Sequence, residues 1–109
     1  MDLELRFDGL DDDVLDAVVD VRVADLAVAD APADGPAASS SDLTVTAARP
    51  TVRVTLDLPV GGGMYEPGLL VRVRGRTADD ARVEFFTTSA TPVAEPAAGP
   101  VRVHLSRIA

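Results

Sequence analysis

Apolar residues recur at every second position through most of this chain, and no stretch of useful length spaces them as a helix would. Leu3, Leu5 and Phe7 alternate with Glu4 and Arg6, and Val19, Val21 and Val23 alternate with Asp20 and Arg22. Further along, Val52, Val54, Leu56 and Leu58 alternate with Thr51, Arg53, Thr55 and Asp57, and Val101, Val103 and Leu105 with Arg102 and His104. Successive side chains of a strand point to opposite faces, so this pattern builds half-buried strands with one apolar face each. Such faces are stable only when packed on one another, which makes the chain all-β.

Turn-forming residues cut the pattern into short pieces. Asp8-Gly9 ends a first strand at 3–7, and a second is expected at 17–24. Pro32, Gly35, Pro36 and Ser39 to Ser41 deny both helix and ladder continuity, so residues 27–42 read as a long flexible connection. Strands follow at 43–48 and 51–58, with Pro50 between them and Pro59 after them, and then at 69–76, 82–88 and 101–107. Seven short antiparallel strands with recurring turn signals predict a β-sandwich, one domain spanning 1–109. Residues 8–16 are too acidic for a core strand. They read as a loop tethered by Val14 and Leu15, with at most a helical turn within 10–18.

Parity sets the register between 69–76 and 82–88. A one-residue slip turns every side chain to the other face, so Val71 and Val73 share a face with Val83 and Phe85 only if paired residue numbers have an even sum. The best choice places Val73 opposite Phe85, Arg72 opposite Phe86 and Arg74 opposite Glu84. The last of these is expected to be an ion pair. Leu70, Arg72, Arg74 and Arg76 then share the outer face with Arg82, Glu84 and Phe86.

Composition excludes most catalytic chemistry. The 109 residues include no cysteine and one histidine, which rules out disulfides, thiolate metal sites and a Cys nucleophile. His104 and Ser106 share one face of a predicted strand but lack the sharp turn and oxyanion donors of a nucleophilic site, so no catalytic residue is expected. The loop GGGMYEPG at 61–68 has no Lys-Ser/Thr and no helix behind it, so no nucleotide cofactor is expected. The net charge of −8, with all ten basic residues arginine, opposes nucleic acid and anionic membranes as partners. Residues 1–48 hold most of the excess acid. Met1 is followed by Asp2 and Glu4, and no apolar run reaches the length of a signal core or a span, so a cytoplasmic location without membrane insertion is expected.

Several segments resemble the YbaY-like and YscW-type lipoprotein family, whose best-described members are pilotins. The resemblance rests on DAVVDVRVADLAVADAPA (16–33), on LLVRVRGRTADDARVEFFTTSATPV (69–93) and on the closing VRVHLSRI. It implies a β-sandwich that binds another protein and catalyses nothing. The chain departs from the family in having no lipidated cysteine and in carrying GGGMYEPG where relatives have an Asp-Pro-rich loop.

The expected function is a non-enzymatic interaction module, an accessory or chaperone-like subunit whose partner is another protein or a second copy of itself. Arg and aromatic residues are the types enriched at interfaces, so the candidate contacts are Leu70, Arg72, Arg74 and Phe86, together with Met64 and Tyr65 on the glycine loop. The rival reading is a small-ligand or calcium-binding module. It would use the hard oxygen ligands of Asp8, Asp11, Asp12, Asp13 and Asp16, although their spacing does not fit an EF-hand.

Overall fold

Eight strands form among the residues described by the computed structural model, which are 1–25, 38–58, 67–93 and 99–108. They are β1 (Asp2–Asp8), β2 (Val14–Asp25), β3 (Ala38–Val45), β4 (Thr51–Thr55), β5 (Pro67–Arg76), β6 (Arg82–Phe86), β7 (Thr91–Pro92) and β8 (Val101–Arg107). They do not divide into the two antiparallel layers of the expected sandwich. One mixed sheet runs in the order β3-β2-β5-β6-β8-β1-β4, with β7 beside β5. The first and last strands of the chain pair in parallel, Leu3 opposite Val101 and Phe7 opposite Leu105. The sheet curls until its end strands β3 and β4 touch, so the fold is nearly a barrel. Alternation along a strand is the same in a sandwich and in a curled sheet, and it says nothing of which distant strand lies alongside.

The interior is the apolar face that the alternation defines. Leu3, Leu5, Val19, Val21, Leu69, Val73, Phe85, Val103 and Leu105 are fully buried. Phe7 and Phe85 meet edge to face, with ring centroids 5.1 Å apart, an arrangement aromatic quadrupoles favour over a flat stack. Val73 lies opposite Phe85, Arg72 opposite Phe86 and Arg74 opposite Glu84, the register that parity requires.

Element boundaries differ from expectation in several places. β2 starts at Val14 rather than 17, with no helical turn, because a bulge between Leu15 and Val18 shifts its register against β5. The extra residue reverses the inward parity: Val14 and Ala17 are both buried, while Leu15 is exposed and tethers nothing. Asp16 takes the left-handed conformation there (φ 50°), which a short polar side chain tolerates. Residues 38–42, expected in the flexible connection, begin β3, with Ala38, Ser39 and Ser40 opposite Val21, Asp20 and Val19. β3 ends at Val45, short of expectation, since Thr46 and Arg49 close a turn before β4, and β4 ends at Thr55 rather than 58. Finally, β6 and β7 are one strand interrupted. Thr87 still donates its N–H to the Val71 carbonyl (3.0 Å), residues 88–90 leave the ladder, and Thr91 resumes it opposite Leu69.

Candidate functional site

The outer face of β2, β5 and β6 holds a groove of about 510 Å³. Leu70 and Phe86, both partly exposed, form its apolar part, and Asp20, Arg22, Arg72 and Arg74 border it. Parity explains the assembly: residues 20 and 22 of β2, 70, 72 and 74 of β5, and 86 of β6 are the outward positions of strands whose other faces are core. Four of the residues singled out in the sequence, Leu70, Arg72, Arg74 and Phe86, therefore line one surface. Met64 and Tyr65 lie outside the described residues.

The ion pairs run diagonally. Arg74 is directly opposite Glu84, as expected, but the Arg74 guanidinium donates to Asp20 Oδ2 on the other neighbouring strand, at 3.1 Å. Arg72, opposite Phe86 and Asp20, donates instead to both carboxylate oxygens of Glu84, at 2.9 and 3.0 Å. Each arginine thus takes the acid that lies opposite the other. Diagonal neighbours are farther apart than direct ones but within reach of long side chains, and this choice links three strands where the expected pair would have linked two. Both arginine side chains are half exposed, so each pair contributes at most about 1 kcal/mol and serves mainly to hold the guanidinium groups in place.

The end of the groove is set by Thr87. This buried threonine receives the Val71 N–H on its hydroxyl (3.2 Å) while its own N–H bonds the Val71 carbonyl, so the last ladder position is filled by one residue using side chain and backbone together. Asp20 and Arg22, like Thr87, are groove members that were not among the sequence-based candidates. Their signal was available, since both alternate with buried valines, but it becomes useful only once β2 is known to lie beside β5.

The five aspartates of the acidic stretch do not converge. Asp11 pairs with Arg107 at 3.1 Å, and Asp13 accepts the Ala47 N–H at 2.8 Å. Asp8 ends β1, Asp12 is exposed, and Asp16 sits in the β2 bulge. Among the described residues no three acidic or histidine side chains gather as a metal ion would require. His104 is exposed on β8 beside Arg6 of β1, with the half-buried Ser106 two residues on. No helix among the described residues is long and apolar enough to cross a membrane.

No protein-family model matches the chain, and no curated protein is significantly similar to it. Among solved structures, the chain resembles an alternative pilotin from the type II secretion system of Vibrio cholerae, with 17% identity, a TM-score of 0.57, and coverage of 100% of this chain and 97% of that one. At that identity the likeness concerns the fold alone, which is pilotin-like. The fold agrees with the resemblance seen in the sequence.

Proposed function

We propose that this chain is a non-enzymatic protein-interaction module, an accessory or chaperone-like subunit that docks a partner protein on the outer face of β2, β5 and β6. The observation that carries the reading is the groove itself. Partly exposed Leu70 and Phe86 lie beside Arg72, which like its neighbour Arg74 is already fixed by an ion pair, and this is the combination of apolar anchor and ordered Arg found at binding hot spots. The inner face offers no alternative, because its side chains are packed against one another as core. A pilotin-like fold supports the accessory role by analogy.

The test uses the full chain as bait in native lysate, with partners identified by mass spectrometry. A stoichiometric partner that is retained by the Arg53→Ala variant, on β4, but lost by Leu70→Ala plus Phe86→Ala supports docking at the groove. A partner insensitive to the double substitution, or a chain that remains alone and monomeric, contradicts it.

A further inference from the structure

The arginines bordering the groove are not equivalent. Arg72 and Arg74 are matched by Glu84 and Asp20, whereas exposed Arg22 has no acidic partner among the described residues. Arg22 lies directly opposite Leu70 in the β2–β5 ladder, so its charge stands beside the apolar part of the groove. Its nearest acid on the same strand face, Asp20, bonds Arg74.

Resting on the docking reading above, we infer that the groove receives a protein segment in which a carboxylate side chain neighbours an aromatic or branched aliphatic one. The apolar side chain packs on Leu70 and Phe86, and the carboxylate bonds Arg22. A guanidinium matches a carboxylate through paired N–H donors, and charge-assisted bonds of this kind are among the stronger polar contacts. An apolar anchor alongside excludes water and strengthens the pair further. A basic segment would instead face Arg22 directly and would have to displace an existing ion pair to find an acid. The volume of about 510 Å³ lies in the range of pockets that bury a ligand-sized group, so it accommodates anchoring side chains rather than a whole element.

The net charge of −8 gives the inference a salt signature. The attraction is local and partly shielded, whereas the repulsion of an acidic segment is spread over the surface and is screened beyond about 8 Å at physiological ionic strength. Binding of the acidic segment therefore weakens little with salt, and much less than binding of a basic segment to the acidic surface would.

The full chain, labelled with ¹⁵N, is titrated with four synthetic eight-residue peptides that differ only at a central pair: Glu-Phe, Gln-Phe, Lys-Phe and Glu-Ala. The expected result is a Glu-Phe-specific shift of the amides of Arg22, Leu70, Arg72, Phe86 and Thr87. Affinity should fall about tenfold for Gln-Phe, and equally for Glu-Phe on the Arg22→Gln variant, with no further loss when the two changes are combined. Arg22 is exposed, so the variant should keep the parent spectrum elsewhere. Equal binding of Lys-Phe or Gln-Phe, or unchanged affinity in Arg22→Gln, overturns the inference while leaving docking at the groove intact. Shifts elsewhere, or none with any peptide, also overturn it, and the bait experiment then decides the docking reading independently. N-acetylphenylalaninate binding as tightly as the Glu-Phe peptide overturns it too, since the site would then take a small carboxylate rather than a protein segment.

Discussion

At Gly75 the β2 bulge packs tightly against β5. A Cβ built there would overlap Cγ1 of Val14 and would lie 3.2 Å from the Leu15 carbonyl oxygen and 3.3 Å from the Ala17 Cβ. Two of these neighbours belong to the bulge backbone or its immediate stem, and Val14 is itself buried, so none swings aside freely. Gly75→Ala should therefore cost about 1–3 kcal/mol, the usual penalty for forcing an extra methyl into a packed site. The gain of about 0.5–1 kcal/mol from replacing a strand glycine opposes this and is the smaller effect. Urea denaturation would read it as a lower midpoint at constant slope, and for a chain this size each kcal/mol lowers Tm by about 4–8 °C. Because the overlap is with Val14, the cycle with Val14→Ala should be strongly non-additive: Gly75→Ala should cost less when Val14 is already truncated, with a coupling of about 0.5–3 kcal/mol. A Gly75→Ala variant as stable as the parent, or a cycle that is additive, would refute the proposed packing of the bulge.

Phe85 and Phe86 are adjacent but face opposite ways, so Phe85→Ala should cost about 3–5 kcal/mol and Phe86→Ala less than about 1.5 kcal/mol; similar thermal shifts for the two would mean that the β5–β6 register is wrong. Thr87→Val leaves the Val71 N–H without its side-chain acceptor and should lose about 1–3 kcal/mol, while Thr87→Ser should lose less, as measured by equilibrium unfolding. The Arg72–Glu84 double-mutant cycle should show a coupling of about 0.2–1 kcal/mol that disappears at high salt, and the Arg74–Glu84 cycle, although those residues are directly opposite, should show almost none. Millimolar calcium should leave Tm unchanged, because Asp11 and Asp13 are engaged with Arg107 and Ala47 and the remaining aspartates do not gather; a calcium-dependent rise would restore the acidic stretch as a binding site.

Much of the candidate site was legible in the chain because outwardness is a local property. Arg72, Arg74 and Phe86 were placed on one face by parity alone, and the structure keeps them there. What parity cannot supply is the neighbouring strand. Asp20 and Arg22 enter the groove only because β2 lies along β5, about fifty residues away in sequence, and the same adjacency draws Arg74 away from Glu84. The bulge at Leu15 to Val18 was hidden for a related reason: an extra residue breaks the very alternation by which a strand is recognised, so Val14 looked like part of a loop.

Alternation of apolar and polar side chains makes this an all-β chain and selects its core residues, because the period of two is written into the backbone of each strand. The pairing of β1 with β8, the diagonal ion pairs, and the curling of one mixed sheet in place of two layers were decided in three dimensions. They depend on which surfaces meet when distant segments compete for neighbours, and that competition leaves no periodic trace in any one of them.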